Sequence, residues 1–383
     1  MEDKTVGIVC EYNPFHFGHK YHIQKSKEIT DADNVICLMS GSFVQRGDVA
    51  LFDKWQRAKM AIDGGADLCI ELPSYYALQS AENFAYGAAF IFNELGVVDS
   101  LSFGAETNNL ELLKRAGKLI ANPIKKYTDA LKDKISQGLS YPASCEYAMR
   151  ECLDGVNSEF FSPNNTLAIS YISALHKLSS KIEPFCVQRN NDYHSVSSND
   201  GYKSASAIRQ MIENGDDYSS FAPDYSKCPK YHISNASSYI LGFFRNANPE
   251  SLKGIKGEEE GLINLIINSS KKACNLEELF SMCVSKRYTL HRIKRFCVCA
   301  LLGIRGDLKP DYVRVLAFNQ KGAELIKRIK QKSPLCVVTK AADYRGAMYD
   351  IDIASTDLAS LCADDEKLRF AGKDYLTSPY VAK

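Results

Sequence analysis

The first half of the chain alternates short apolar runs with amphipathic stretches. The apolar runs occupy residues 5–10, 34–39, 67–72, 100–103 and 183–188. Continuous runs of this length are typical of strands that are buried on both faces of a parallel sheet. The stretches between them, as at 52–63 and 81–95, have the spacing of helices. The pattern predicts an α/β fold with a Rossmann-like, doubly wound parallel sheet.

Helices dominate the stretch between the fourth and fifth predicted strands. Their predicted ranges are 110–121, 123–137, 142–153 and 165–180. A further helix is predicted at 204–215, and the polar run 215–231, rich in Asp, Ser and Pro, predicts a linker. We therefore predict a catalytic domain over residues 1–220 and a mainly helical, basic domain over residues 221–383.

A nearly neutral total charge conceals a local excess of basic residues. The chain has 47 Lys or Arg and 46 Asp or Glu, but Lys286 to Lys332 contains 13 basic residues and 3 acidic ones. Such a concentration is typical of a surface that binds a polyanion, and a solvated helix face accounts for the charge equally well. The candidate contacts with nucleic acid are Lys286, Arg287, Arg292, Lys294 and Arg295.

The cysteines and the absence of long apolar runs bear on location. An odd number of cysteines, 13, is scattered through apolar segments, which predicts reduced thiols rather than disulfides. The chain begins with a strand and carries no signal-peptide pattern. No apolar run reaches the roughly 20 residues that span a bilayer. We expect a cytoplasmic protein that contacts no membrane, and we find no dedicated carboxylate cage for a metal ion.

The stretch 7–20, GIVCEYNPFHFGHK, is the most informative part of the sequence. After the first strand and a turn, an H-x-G-H motif opens a helix. Free backbone N–H groups and the positive end of the helix dipole favour an anion at such a position. Gly18 lets a nucleotide approach the backbone, and His16 and His19 can donate hydrogen bonds to a phosphate. Alternatively, both histidines are ordinary polar residues of a first helical turn.

Polar residues also lie near the carboxyl ends of the other predicted strands. Ser42 and Arg46 follow the second strand, Glu71 lies in the third, and Gly104 follows the fourth. Ligands of doubly wound sheets bind beyond these strand ends, so we expect the residues to share one crevice with His16. Glu71 and Glu106 either orient ribose or substrate or form a buried cap or salt bridge.

Two motifs resemble those of the nucleotidylyltransferase and class I synthetase superfamily. They are H-x-G-H and SASAIR, the latter similar to a phosphate-binding motif at a later helix start. A closer resemblance, to the tRNA(Met) cytidine acetate ligase family, covers nearly the whole chain. Its blocks, in order, are EYNPFHFGH, GSFVQRG, DLCIELP, SFGAE, SPNNTLAISY, SASAIR and SKRYTLHRIKRF. Phe17 and Ser42 stand where that family often has Asn, and Ser42 puts in doubt the polar contact of its loop.

The resemblance implies an ATP-dependent ligase. In that family, acetate and ATP give acetyl-adenylate, and the acetyl group passes to the exocyclic amine of the wobble cytidine in elongator tRNA(Met). Mg²⁺ is expected to accompany the ATP, and the basic segment is expected to hold the tRNA. We expect His16 and His19 to be catalytic. The ATP-binding candidates are Gly7, Ile8, Val9, Cys10, Glu11, Tyr12, Asn13, Pro14, Phe15, His16, Phe17, Gly18, His19, Lys20, Gly104, Asn164, Arg189, Ser204, Ser206 and Arg209.

Structural explanations exist for several of these candidates. Asn164 suits a helix N-cap, Gly104 suits a turn, and Arg189 and Arg209 suit surface cations. Two other functions also stay open. One is a nucleotidylyltransferase with a small phosphorylated acceptor, against which the large basic region argues. The other is an inactive nucleic-acid-binding module, against which the intact H-x-G-H motif argues.

Overall fold

The computed structural model describes residues 3–188 and 202–382. The strands are Thr5–Cys10 (β1), Asn34–Ser40 (β2), Phe43–Val44 (β3), Asp48–Val49 (β4), Leu68–Leu72 (β5), Ser100–Ala105 (β6), Glu183–Gln188 (β7), Tyr312–Phe318 (β8), Cys336–Val338 (β9) and Tyr380–Val381 (β10). The helices are Phe17–Thr30 (α1), Lys54–Asp63 (α2), Ser74–Ala77 (α3), Ala81–Leu95 (α4), Leu110–Ala121 (α5), Lys125–Ser136 (α6), Tyr141–Cys152 (α7), Pro163–Lys177 (α8), Ala205–Asn214 (α9), Ser237–Asn246 (α10), Leu262–Ser270 (α11), Leu276–Cys283 (α12), Leu290–Leu301 (α13), Gln320–Lys332 (α14), Ala347–Ser360 (α15) and Lys373–Leu376 (α16).

The central sheet confirms the predicted fold class. Its strand order is β10-β8-β5-β2-β1-β6-β7, and β9 also pairs with β8. The five strands predicted from apolar runs are β1, β2, β5, β6 and β7, and their pairings with one another are all parallel. The chain winds outward from β1 in both directions, so β1 and β6 flank the point where the strand order reverses. Doubly wound sheets bind ligands at this point.

Alternate residues of the strands pack against helices on opposite faces of the sheet. In β2, Val35 and Cys37 join a core with residues of α1 and α2. The next residues along, Ile36 and Leu38, join a larger core with residues of α4. This two-sided burial explains the continuous apolar runs in the sequence.

The second half of the chain differs from its predicted organisation. Residues 237–301 contain the helices α10 to α13, but β8 returns to the central sheet and pairs antiparallel with β5. Within the stretch predicted to form a mainly helical domain, residues 312–318 form a buried strand of the same sheet as β1. The apolar run YVRVLAF carried this signal, since it reads as a strand interrupted by one arginine. The division at residue 220 stays a prediction.

The stretch 215–231, predicted as a linker, packs against the catalytic half. Ala222 and Tyr225 are buried in a small core with Phe52 and Ile208. The rings of Tyr225 and Phe52 stack with their centroids 4.4 Å apart. The Tyr225 hydroxyl also donates to the carbonyl oxygen of Phe15, at 2.6 Å. Its burial excludes the role of a loose connection.

A buried cluster of four charged side chains joins the two halves of the chain. The Lys54 ammonium lies 2.9 Å from carboxylate oxygens of Glu71 and of Asp374. Arg314 in β8 lies 3.0 Å from the same oxygen of Asp374. Burial lowers the pKa of Lys54, but the carboxylates of Asp374 and Glu71 outweigh it and raise the pKa. Of the two alternatives for Glu71, the structure has the buried salt bridge.

The cysteines agree with the prediction of reduced thiols, and all 13 of them lie in the described part of the chain as free thiols. In residues 3–188 and 202–382, no helix is both long enough and apolar enough to cross a bilayer.

Replacing Asp374 tests the importance of the buried charged cluster around Lys54. In Asp374→Ala, two buried cations lose a shared carboxylate, so we expect the free energy of unfolding to fall by about 3–5 kcal/mol. Urea denaturation followed by circular dichroism measures the change. The matched control is Asp343→Ala, at an exposed position, with an expected effect within about 0.5 kcal/mol. Equal stability of the two variants would show that the cluster does not hold the halves together.

Candidate functional site

The H-x-G-H motif lies where β1 passes into α1. His16 is the N-cap residue of α1, and its ring stacks on that of His19 with centroids 3.7 Å apart. The backbone N–H of His16 donates to Nδ1 of His19, at 3.3 Å. Because Nδ1 accepts this hydrogen bond, the neutral His19 ring carries its proton on Nε2. The geometry therefore makes Nε2 of His19 a hydrogen-bond donor.

Two aromatic residues of the same motif fix the orientation of His19. The ring centroid of Tyr12 lies 4.8 Å and that of Phe15 5.8 Å from the His19 ring. Tyr12 is itself held against the sheet, because its hydroxyl lies 3.4 Å from Sγ of Cys37, in β2. These contacts hold the imidazole in one position, as a site for phosphate binding requires.

Arg57, which sequence reasoning missed, holds the strand ends around the motif. Its side chain is fully buried in α2. The guanidinium donates to the carbonyl oxygens of Glu11, after β1, and of Ser40 and Gly41, at the end of β2. Burial is the main cause that lowers its pKa. The only sequence signal was a basic residue on the apolar side of a helix, which is too common to be selected.

The SASAIR motif contacts the H-x-G-H motif. Ser204 is the N-cap residue of α9 and accepts from the backbone N–H of Ala207, at 3.2 Å. Arg209, one turn further, donates to the Ser206 hydroxyl, at 3.0 Å, and to the carbonyl oxygen of Asn13. Its side chain is half-buried, because it bridges the two motifs instead of pointing into solvent. The structure thus brings together residues almost two hundred positions apart in the sequence.

Asn164 lies at the start of α8 and is tied to Glu106. The Glu106 carboxylate accepts hydrogen bonds from the Ser162 hydroxyl at 2.7 Å, the Asn165 N–H at 2.9 Å and the Asn164 side-chain amide at 2.5 Å. In return, Asn165 Oδ1 accepts from the N–H of Glu106, at 2.9 Å. Burial raises the pKa of Glu106, but these hydrogen bonds outweigh it and lower the pKa. Of its two alternatives, Glu106 is therefore a helix cap.

The remaining ATP-binding candidates differ in position. Gly104 is half-buried in β6, next to β1. Gly7 and Ile8 are buried inside the sheet, and a Cβ on Gly7 would lie 2.8 Å from the ring of Phe92. Gly7 thus meets a packing requirement, while residues 11–20 occupy the carboxyl end of β1. Arg189 lies outside the described residues.

Comparisons with known proteins agree with this arrangement. The sequence model described as HIGH Nucleotidyl Transferase matches residues 3–374. A tRNA(Met) cytidine acetate ligase of Clostridium perfringens (strain ATCC 13124) is 39% identical, over 98% of each chain. One of Thermoanaerobacter sp. (strain X514) is also 39% identical, over 97% of this chain and 98% of its own. This chain belongs to the tRNA(Met) cytidine acetate ligase family.

A solved structure supports the same assignment. The crystal structure of Thermotoga maritima TmcAL bound with alpha-thio ATP superposes with a TM-score of 0.91, at 27% identity, and the match covers 99% of both chains. The resemblance stated from the seven sequence blocks is therefore confirmed, as is the fold class. For this member of the acetate ligase family, the structure adds the contacts around each motif.

The basic residues predicted to contact nucleic acid differ in their surroundings. Lys294 forms an ion pair with Asp48, at 2.7 Å, and Arg292 forms one with Glu259, at 2.6 Å. Arg295 is half-buried and donates to the carbonyl oxygen of Gln45, at 3.4 Å. Lys286 and Arg287 are exposed, although Arg287 lies 3.8 Å from Glu260. Part of the predicted basic surface is therefore occupied by contacts within the chain.

No dedicated metal site is found in this family member among the described residues. Across 3–188 and 202–382, no group of three or more His, Cys, Asp or Glu side chains is arranged to hold a metal ion.

A histidine that sequence reasoning missed connects α9 with the C-terminal part. Nε2 of His232 lies 2.9 Å from Glu213, in α9, and Nδ1 lies 2.7 Å from Asp364. Burial lowers the pKa of His232, but the hydrogen bonds with Asp364 and Glu213 outweigh it and raise the pKa. Lys230, the other charged group nearby, acts on Asp364. The protonated ring is therefore favoured by the folded state.

The His232 contacts predict a pH-dependent contribution to stability. A raised pKa means that the contribution is complete below the unfolded value of about 6.5 and is lost as pH rises through the folded value. We expect the wild-type melting temperature to fall more between pH 6 and pH 9 than that of His232→Gln. Scanning calorimetry across this range measures the difference. Parallel curves for the two proteins would contradict the prediction.

Removing Arg209 tests the contact between the two motifs. In Arg209→Ala, the carbonyl of Asn13 loses a charged donor and the crevice loses a cation. We expect the Kd for ATP to rise by about tenfold or more, the effect of one charge-assisted hydrogen bond. Isothermal titration calorimetry measures it, with Arg115→Ala, an exposed arginine of α5, as the control. Unchanged ATP affinity would exclude Arg209 from the site.

Proposed function

We propose that this chain is an ATP-dependent tRNA(Met) cytidine acetate ligase that forms acetyl-adenylate and acetylates the wobble cytidine of elongator tRNA(Met). The observation that carries the proposal is the joining of the H-x-G-H and SASAIR motifs by Arg209, in a chain of this family. Two cationic or donor groups from separate helix starts then face the same strand end, where a triphosphate can bind.

The first step requires little proton transfer from the protein. Acetate is ionised at neutral pH, so its carboxylate can attack the α-phosphorus of ATP without a general base. The bond from the α-phosphorus to the bridging oxygen breaks, and pyrophosphate leaves with that electron pair. Catalysis then consists of alignment and of stabilising the charge on the equatorial oxygens.

The residues of the site suit these tasks. Nε2–H of His19 is proposed to donate to an α-phosphate oxygen, since Nδ1 is already engaged by the His16 N–H. His16 and the start of α1 favour the same anion. Arg209, with Ser204 and Ser206, is proposed to bind the leaving pyrophosphate. Arg57 is a positioning residue, because its guanidinium donates to backbone carbonyls in the described part of the chain.

The second step transfers the acetyl group. The exocyclic N4 amine of the cytidine attacks the carbonyl carbon of acetyl-adenylate. The bond from that carbon to the oxygen bridging it to phosphorus breaks, AMP leaves with this oxygen and the electron pair, and the nitrogen releases a proton to solvent. The base must first be unstacked from the anticodon loop to reach the mixed anhydride. A basic surface near the crevice supports this step, because it can hold the phosphate backbone while the base enters.

The remaining expectations extend this proposal. Mg²⁺ is expected to arrive bound to the phosphates of ATP, where it would offset their charge. Thirteen free thiols support a reducing compartment such as the cytoplasm. The proposed tRNA-binding part is within residues 221–383, with the catalytic part before it.

Two assays test the proposal: tRNA acetylation by the wild type, and acetate-dependent ATP–pyrophosphate exchange by His19→Ala. Purified wild-type protein with ATP, radiolabelled acetate and elongator tRNA(Met) is expected to label the tRNA. His19→Ala is expected to slow acetate-dependent ATP–pyrophosphate exchange by about 10²-fold or more, as for loss of an oxyanion donor. His176→Ala, at an exposed position in α8, is the control.

The outcomes distinguish the alternatives. Pyrophosphate release with a phosphorylated small molecule, but not with acetate, would replace the proposal with nucleotidylyl transfer. Tight tRNA binding without turnover by the wild type would indicate an inactive binding module. Normal exchange by His19→Ala would remove His19 from the mechanism and leave the ligase assignment intact.

A further inference from the structure

A short hairpin connects the segment of the H-x-G-H motif with the basic helix α13. Strands β3 and β4 pair Phe43 with Val49 and Val44 with Asp48, which leaves a three-residue loop, Gln45 to Gly47. The Gly47 N–H donates back to the carbonyl of Val44, at 2.9 Å, and Gly47 has a φ of +76°. A type I turn followed by a glycine in the left-handed region commonly closes such loops.

One side of this hairpin is hydrogen-bonded to Glu11, in the segment that leads from β1 to the H-x-G-H motif. The backbone N–H of Gln45 donates to Oε1 of Glu11, at 2.7 Å. Glu11 directly follows β1, and its carbonyl is one of those held by Arg57. The loop is therefore positioned from the same strand end as His16 and His19.

The other side is fixed to α13. Asp48 pairs with Lys294 at 2.7 Å, and the Gln45 carbonyl accepts from Arg295 at 3.4 Å. Gly47 packs so closely that a Cβ there would lie 2.4 Å from the backbone nitrogen of Arg295. Gly47 is thus required both for its backbone conformation and for this contact. The hairpin and the first turns of α13 form one surface.

Arg46 lies at the tip of this loop, between the two attachments. Its side chain is exposed, and within the described residues it makes no hydrogen bond or ion pair. It is nevertheless close enough to Glu11, Arg209 and His291 to influence the pKa of each. Burial lowers the pKa of His291 most, and Arg46 adds to the effect. Among residues 3–188 and 202–382, Arg46 is therefore a cation without a hydrogen-bond or ion-pair partner, at the boundary between crevice and basic helix.

We propose that Arg46 binds a backbone phosphate of the substrate tRNA next to the cytidine that enters the crevice. Lys294 and Arg295 already contact the hairpin, through Asp48 and the Gln45 carbonyl. Arg287 and Arg46 are exposed and can contact RNA on either side of these two residues. An RNA strand on α13 that delivers a base to the strand end of β1 must pass the tip of the hairpin. A guanidinium there can hold a phosphate through two parallel hydrogen bonds. This inference rests on the proposed function, because it assumes that the polyanion is the tRNA.

Arg46→Gln tests the proposal in the full-length chain. The exposed position makes the substitution compatible with folding. We expect the Kd for fluorescently labelled elongator tRNA(Met) to rise by about tenfold. The slope of log Kd against log salt should fall by about one unit, as for loss of one phosphate contact. Arg46→Lys should restore part of the affinity, and Arg115→Gln in α5 should match the wild type.

Acetate-dependent ATP–pyrophosphate exchange separates the two phosphate ligands. The proposal expects Arg46→Gln to exchange at the wild-type rate with an unchanged KM for ATP. A raised KM for ATP with normal tRNA affinity would overturn it and assign Arg46 to the triphosphate. A tRNA affinity and salt slope equal to those of Arg115→Gln would also overturn it.

Failure of the proposed function gives a different result. A wild-type protein that binds tRNA but does not acetylate it would refute the ligase proposal, while the binding data would still decide the role of Arg46. A wild-type protein with no affinity for tRNA would refute both.

Discussion

One buried guanidinium, that of Arg57, holds the backbone on which the candidate site is built. It donates to the carbonyl groups of Glu11 and Gly41, just beyond the ends of β1 and β2, and of Ser40, the last residue of β2. Buried carbonyl groups without a partner are costly, so a turn that leaves the sheet here needs donors from elsewhere. Arg57 supplies them from α2. The turn before α1, with His16 and His19 at its end, therefore has a defined conformation.

The same strand end is held from several directions. The Asn13 carbonyl accepts from Arg209, the Phe15 carbonyl accepts from Tyr225, and the Phe17 N–H donates to the carbonyl of Phe221. Tyr225 and Phe221 come from the stretch 215–231, which composition alone presents as a linker, and Arg209 comes from α9, directly before it. In the structure this segment covers one side of the H-x-G-H motif. A site for phosphate gains from such support, because donors that are already oriented need no reorganisation when charge develops.

Charge is used differently in the interior and on the surface. In the interior, four charged side chains neutralise one another where α2 and β5 meet β8 and α16. They are Lys54, Glu71, Arg314 and Asp374. Such a cluster adds little net stability over apolar packing, but it strongly disfavours any arrangement that separates its members. On the surface, the ion pair of Lys294 with Asp48 and the hydrogen bond from Arg295 to the Gln45 carbonyl attach α13 to the hairpin, and Arg46 at its tip stays exposed.

The sequence alone determined the parallel sheet, its five parallel strands and the H-x-G-H helix start, because these depend on local apolar patterns and on motifs of contiguous residues. The seven blocks in order also determined the family. Tertiary structure alone decided that β8 completes the sheet, that residues 215–231 pack instead of linking, and that Lys294 and Arg295 face the hairpin. Each of these depends on partners far away in the chain. Arg57 shows the reason most clearly, since a buried arginine and an exposed one look the same in a helical pattern until the carbonyl groups around it are known.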